Sequence, residues 1–172
     1  MSELTLTPQV AVAFIALAAA SYTDLKDGKI PNALTFPVIA LGLVMNGTSG
    51  NWAFGLYGLL AATIIHFSVF ALGIQRGGDA KLFMAVGACI GHSEIIDATA
   101  WYAIVYAPVG FLQLIIKGKL GNLVDTIKWS MAKARSMDAG EKPEPTMLRT
   151  APIIAAAVVG AWMTNWPGLW DG

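Results

Sequence analysis

Charge is what this sequence has least of. Of its 172 residues, 13% are charged and 56% hydrophobic, against roughly 25% charged in a soluble domain. Too few charges are left to cover a water-facing surface. The net charge is zero, so bulk electrostatics point to no nucleic-acid partner. The one cysteine, Cys89, excludes an internal disulfide and a cysteine-ligated zinc site. Met1 to Thr7 carries no Lys or Arg, whereas a cleavable signal peptide opens with a positive stretch. The first apolar run is therefore expected to stay in place as a membrane helix. His-Glu-x-x-His is missing, which removes the usual metalloprotease pattern, and so is the phosphate-binding Gly-x-x-x-x-Gly-Lys-[Ser/Thr] loop. Internal repeats and low-complexity tracts are absent as well.

What remains is a series of apolar runs. Six candidate helices follow from them: about Pro8 to Thr23, Asn32 to Met45 (containing Pro37), Trp52 to Ile74, Asp79 to Ile90, Ile95 to Lys117 (containing Pro108), and Leu148 to Trp170. A bilayer-spanning helix needs ~20 apolar residues, and prolines within such runs are tolerated where neighbouring helices satisfy the freed backbone. The fourth run is short. At 1.5 Å per residue, about a dozen residues reach only ~18 Å.

The connections alternate in chemistry. All eleven basic residues (Lys26, Lys29, Arg76, Lys81, Lys117, Lys119, Lys128, Lys133, Arg135, Lys142 and Arg149) lie in or beside the first, third and fifth connections. Cytoplasmic loops carry the excess of Lys and Arg. An all-α bundle of six membrane-spanning helices is therefore expected, with both termini non-cytoplasmic and residues 1–172 forming one domain. Its long cytoplasmic loop, 118–146, repeats apolar residues at helical spacing (Leu120, Leu123, Val124, Ile127, Met131). That pattern fits either an amphipathic helix on the lipid surface or a solvated helix packed on the bundle.

Ionisable residues within or at the ends of membrane helices are costly and are functional candidates by default. Two aspartates stand out. Asp24 ends the first helix and Asp79 opens the fourth. The topology puts both at the cytoplasmic edge of the apolar core, far apart in sequence but at one depth. Two carboxyls brought within ~3 Å share a proton. The ionised one then serves as base toward water, and the protonated one polarises a peptide carbonyl. Gly77 and Gly78 fit close backbone approach beside Asp79. A structural account of the same residues is also open, with Asp79 a helix cap and Asp24 an interfacial anchor.

Two short motifs carry a family resemblance. Asp24-Leu-Lys-Asp-Gly-Lys-Ile30-Pro31-Asn32 resembles the first motif of the type IV prepilin peptidases, an Asp followed by Ile-Pro-Asn. Gly77-Gly78-Asp79-Ala-Lys81-Leu82 resembles their second, Gly-x-Gly-Asp followed by x-Lys-Leu. The pattern's first glycine is Arg76 here. About fifteen residues carry the motifs, while the six-helix architecture covers nearly the whole chain. The resemblance implies an aspartic endopeptidase of the bacterial or archaeal cytoplasmic membrane. It would remove the basic leader from prepilin or pseudopilin substrates, single apolar helices embedded in the lipid bilayer. Asp24 and Asp79 would be the catalytic pair, with Gly77, Gly78, Lys81, Ile30, Pro31 and Asn32 shaping the site. No metal or other cofactor is implied. The chain lacks the cysteine-rich domain of bifunctional members, so it resembles the short stand-alone peptidases, including those serving Flp-type pili. Methyltransferase activity is not expected.

The remaining polar residues have bland readings. Asp27 reads as a solvated loop residue, and Lys81 doubles as a snorkelling anchor. His66 sits midway along the third helix and reads as a hydrogen-bonded packing histidine or a proton relay. His92, Glu94 and Asp97 read as an outer loop. Trp52, Trp101, Trp162, Trp166 and Trp170 mostly fall near helix ends, as an aromatic belt requires. A small proton- or cation-coupled transporter is the alternative function from another class. Such proteins place their coupling carboxylates near mid-membrane. A non-catalytic subunit of a secretion assembly is a third.

Overall fold

Thr7 sets the first boundary. Its side chain accepts the Val10 N–H at 3.3 Å, and Pro8 follows in the first turn, where its missing N–H costs no helical bond. From there α1 runs Pro8–Asp27 and stops at Gly28. Gly28 adopts the left-handed conformation (φ 69°) and returns its N–H to the Asp24 carbonyl at 2.9 Å, as a C-terminal glycine cap does. The fold is known from a computed structural model. It describes residues 6–71, 75–116, 149–164 and the isolated positions 121, 125, 128, 129, 131, 132 and 135.

Six helices can be bounded among the described residues, with no strand. After α1 come α2 (Asn32–Thr48), α3 (Trp52–Ala71), α4 (Gly77–Ile90), α5 (His92–Ile116) and α6 (Ala151–Thr164). Thr63–Phe67 within α3 is wound as a π-helix. Two of them, Pro8–Asp27 and Trp52–Ala71, are long and apolar enough to cross a membrane, while Asn32–Thr48 and Ala151–Met163 are shorter apolar helices.

The short α4 is the hub. It packs on α1, α2 and α3 and more lightly on α5 and α6, which pair with each other. Apart from Lys81 and Met84, every residue from Asp79 to Ile90 is buried. Small residues let the backbones close on it. A Cβ added at Gly58 would lie 2.0 Å from the Gly87 carbonyl oxygen, and one at Gly42 would lie 2.8 Å from the Ala88 backbone. Such contacts are the usual glue of helices in lipid, where apolar burial itself gives little drive. On α3 the buried stripe is Gly55, Gly58, Ala62 and His66, while Leu56, Leu60, Ile64 and Phe67 face outward. The outside is thus apolar where a water-soluble bundle would be charged.

Asn46 closes the far end of α4. Its buried side-chain amide donates to the carbonyls of Ala88 (2.9 Å) and Cys89 (3.3 Å), as well as to Gly42 of its own helix (3.0 Å). The last carbonyls of a helix lack partners of their own. Asn46→Leu is expected to lower stability by about 1 kcal/mol, read as a reduced Tm of detergent-purified protein. An unchanged Tm would show that those carbonyls do not need the amide.

Several boundaries correct the sequence reading. The first helix ends at Asp27 rather than about Thr23, so Asp24 lies in its last turn, and the fourth begins at Gly77, two residues before Asp79, which stays in the first turn. Asp27, read as loop, is the final residue of α1. Helix formation outlasts the apolar run because Gly28, not the first charge, ends it. Pro31 rather than Asn32 is the N-cap of α2. The sixth helix begins at Ala151, not Leu148. Trp101 lies well inside α5 rather than near an end. Ile74, Leu148 and residues 165–172, with Trp166 and Trp170, lie outside the described residues, as does most of the 118–146 loop. Its described positions 121, 125, 128, 129, 131 and 132 are helical.

Candidate functional site

Asp24 and Asp79 are brought together. Both are almost wholly buried, at 1% and 2% exposure. Both line one pocket of about 270 Å³, with Gly28, Lys29, Ile30, Arg76, Gly77 and Gly78. Two chain segments line it, the end of α1 with its exit and the approach to and start of α4, while the start of α6 bonds the two carboxyls.

Each carboxyl has its own set of partners. Asp24 Oδ1 lies 3.5 Å from the Arg76 guanidinium, and Asp24 Oδ2 accepts the Ala151 N–H at 3.1 Å. Arg76 also donates to the Gly28 carbonyl, and Arg149 donates to the Asp24 carbonyl. Asp79 Oδ1 accepts the Thr150 hydroxyl at 2.6 Å. Asp79 sits three residues after the N-cap Arg76, whose backbone N–H faces its carboxyl. Asp79 Oδ2 is buried with no hydrogen-bond partner. Thr150 itself is 2% exposed.

The glycines of the second motif are needed for clearance rather than for backbone freedom. A Cβ at Gly78 would meet the Ile30 side chain at 3.3 Å, and one at Gly77 would meet the Phe70 ring at 3.3 Å. Ile30 therefore closes over the start of α4 because position 78 has no side chain. Gly28 is the exception, needing both its positive φ and its space, since a Cβ there would lie 2.7 Å from the Arg149 guanidinium. Arg76 occupies the place of the pattern's first glycine with ordinary extended backbone (φ −83°, ψ 148°). Any residue adopts that conformation, so the departure strains nothing.

Lys81 is more than a snorkelling anchor. Its Nζ donates to Asn32 Oδ1 at 2.9 Å and lies 5.6 Å from the Phe36 ring centroid. It ties the start of α4 to the start of α2, directly after Pro31. His66 lies away from the carboxyls. Its Nδ1 is 3.0 Å from Gln75 Oε1, and its Nε2 is 3.0 Å from Thr99 Oγ1. Its ring stacks on Phe83 with centroids 3.6 Å apart. It packs, and through Gln75 it pins the chain just before Arg76. Ser68 gives its hydroxyl to the Ile64 carbonyl at 2.6 Å. His92 and Glu94 are exposed at the start of α5. No group of three or more His, Cys, Asp or Glu able to hold a metal occurs among the described residues.

Sequence reasoning missed Thr150, Ala151 and Arg149, and gave Arg76 only a topological role. A Thr ahead of Ala-Pro is a helix-start signal, which foretells the boundary of α6 but not the carboxyl that Thr150 meets. Asp79 is 71 residues away.

The sequence profile of the type IV leader peptidase family matches residues 11–116, which include both aspartates. Among curated proteins, a prepilin peptidase (EppA) of Methanothermobacter thermautotrophicus is 44% identical over 89 residues, covering 45% of this chain and 22% of the relative. A prepilin leader peptidase/N-methyltransferase of Burkholderia pseudomallei is 30% identical over 106 residues, covering 56% of this chain and 34% of the relative. The chain thus spans about a fifth to a third of these relatives. No solved structure matches it.

Proposed function

Because the chain belongs to the type IV leader peptidase family, we propose that it is an aspartic endopeptidase that removes the leader from prepilin-like substrates at the cytoplasmic membrane face. Asp24 and Asp79 are its catalytic pair. The observation that carries this reading is the burial of two carboxyls against one pocket, gathered from helices that sequence separates widely. Burying ionisable groups costs free energy unless they are paired or used.

The chemistry needs only these two groups and water. The ionised carboxyl takes a proton from water as its oxygen attacks the scissile carbonyl carbon. The protonated carboxyl gives its proton to the carbonyl oxygen. The tetrahedral intermediate then collapses: one of its hydroxyls returns a proton to the carboxyl that acted as acid, the C–N bond breaks, and the leaving nitrogen collects a proton from the carboxyl that acted as base. Gly77, Gly78 and Ile30 line the pocket into which an extended backbone would pass. Pro31, Asn32 and Lys81 fix the rim.

The apolar exterior, the family and the one-sided distribution of the eleven basic residues support one multi-pass domain in a bacterial or archaeal cytoplasmic membrane. It has six spans and both termini on the other side, with 118–146 in the cytoplasm. The substrate is a single apolar helix with a basic leader, lying in lipid beside the bundle. A pilin of the Flp class fits that description. A carboxylate-coupled transporter is disfavoured because Asp24 and Asp79 sit at helix ends rather than mid-span.

Co-expression with candidate prepilins of the same source, read as leader removal on a gel, tests the proposal. Wild type is expected to cleave, and Asp24→Asn and Asp79→Asn are expected to leave the precursor intact at equal membrane levels. Cleavage by all three proteins would refute it.

A further inference from the structure

The start of α6 lies outside the family-matched stretch 11–116, yet it touches both carboxyls. Thr150 reaches Asp79 and the Ala151 amide reaches Asp24. We infer that Thr150 is a positioning residue for the peptidase reaction, and that the start of α6 gives the two aspartates different duties, Asp24 the base and Asp79 the acid. The inference rests on the aspartyl reading above and adds to it a third chain segment and an order within the pair.

The assignment follows from what each oxygen faces. Asp24 is surrounded by donors. Its Oδ1 has the Arg76 guanidinium at 3.5 Å, and its Oδ2 has a backbone N–H at 3.1 Å. That amide belongs to the first turn of α6, where the helix dipole adds positive potential. Among the described residues, Arg76 and Ala151 face the two oxygens as donors. An ionised carboxylate is the form such surroundings hold.

Asp79 differs in one oxygen. Oδ1 accepts the Thr150 hydroxyl, a short 2.6 Å bond. Oδ2 is buried without a donor. A bare carboxylate oxygen there would be costly, whereas a protonated Oδ2 carries its own hydrogen and has one thing left to do, which is to donate it. Thr150 holds Oδ1, so the carboxyl cannot rotate without losing that bond, and Oδ2 keeps its direction. The hydroxyl does not touch substrate. It acts through Asp79.

The other titratable groups facing Asp79 are Asp24 from α1, Arg76 from the approach to α4, and Tyr102 and Tyr106 from α5. Of these, Arg76 also turns its backbone N–H toward the Asp79 carboxyl, while the 2.6 Å side-chain bond to Oδ1 comes from Thr150.

The test uses the full chain, purified in detergent, and a prepilin shown to be cleaved in the co-expression experiment. Thr150→Val keeps shape and removes the donor. It is expected to lower kcat by about 10- to 100-fold, the effect of losing a hydrogen bond to a charged or charge-sharing group, with KM within about twofold of wild type. Thr150→Ser keeps the hydroxyl and is expected to retain most of kcat. The pH profile of kcat separates positioning from mere packing. In Thr150→Val the alkaline limb, which reports the acid, moves, while the acid limb stays.

Wild-type kcat in Thr150→Val would overturn the inference, and so would movement of the acid limb instead. If Thr150→Val does not accumulate, Thr150→Ala and Thr150→Ser decide. Loss in Ala with retention in Ser supports the positioning role, and equal activity in the two overturns it. Asp79→Asn runs alongside. An inactive Asp79→Asn beside a fully active Thr150→Val sinks this inference alone, whereas an active Asp79→Asn sinks the aspartyl reading from which it starts.

Discussion

Asp79→Asn is expected to slow leader removal by about 10²- to 10⁴-fold, the usual range for losing a general acid or base, with the fold intact. The substitution is nearly isosteric, and the amide oxygen still accepts the Thr150 hydroxyl that Asp79 Oδ1 accepts at 2.6 Å. What disappears is the proton that the second oxygen would carry. Asp24→Asn is expected to fall as far for the opposite reason, since an amide cannot take a proton from water. Its neighbours constrain it differently: the Ala151 N–H at Oδ2 and the Arg76 guanidinium at Oδ1 both demand an acceptor, and an amide has only one oxygen to offer them. Asp24→Asn should therefore also lose some thermal stability, which Asp79→Asn should not. Single-turnover cleavage of a purified prepilin, with a melting curve for each variant, separates the two effects. Activity within tenfold of wild type in either variant would mean that its carboxyl is not part of the chemistry.

The second large effect belongs to packing. Gly58→Val is expected to prevent accumulation of folded protein, at a cost of about 3 kcal/mol or more, the upper end of what overpacking imposes. The new Cβ would stand 2.0 Å from the Gly87 carbonyl oxygen and 2.8 Å from Gly91. Those are backbone atoms of the hub helix and the turn after it, so no side-chain rotation relieves the clash, and α3 must move off α4. The same substitution at Gly121, where an added Cβ meets nothing within 4 Å, should cost no more than about 0.5 kcal/mol. Membrane yield and size-exclusion profile of the two variants form the comparison. Equal yields would mean that the α3–α4 contact is looser than these distances imply.

Much of this architecture is legible in the residues, because long apolar runs leave few options. The helices at Trp52 and Asn32 begin where the sequence places them. The errors share one cause. Hydropathy reports where lipid-compatible residues stop, while hydrogen bonds and glycine decide where a helix stops. So α1 runs past Thr23 through Asp24 and Lys26 to its cap at Gly28. Both motif aspartates are singled out in the sequence because short motifs fix them, and the fold brings both to one pocket. Thr150 is not, because nothing near it in sequence marks it. Its meaning arises when α6 docks beside α1 and α5. Arg76 shows the same limit, since a lone basic residue reads as a topology signal until its guanidinium is seen beside Asp24.

The segment that reaches both carboxyls is also among the last parts of the described chain to leave the ribosome. Residues 11–116 hold both aspartates, and residues 117–148 must be made before Thr150 and Ala151 exist. A half-made chain therefore carries two acids without the groups that orient them. With Thr150 in its assigned role, full cutting power waits until α6 has been made and docked, after the helices before it have been laid down. On the aspartyl reading, apolar helices inserted nearby are then exposed to a weakened site while the bundle assembles. Chains stopped at position 148 should bind membranes and cleave nothing.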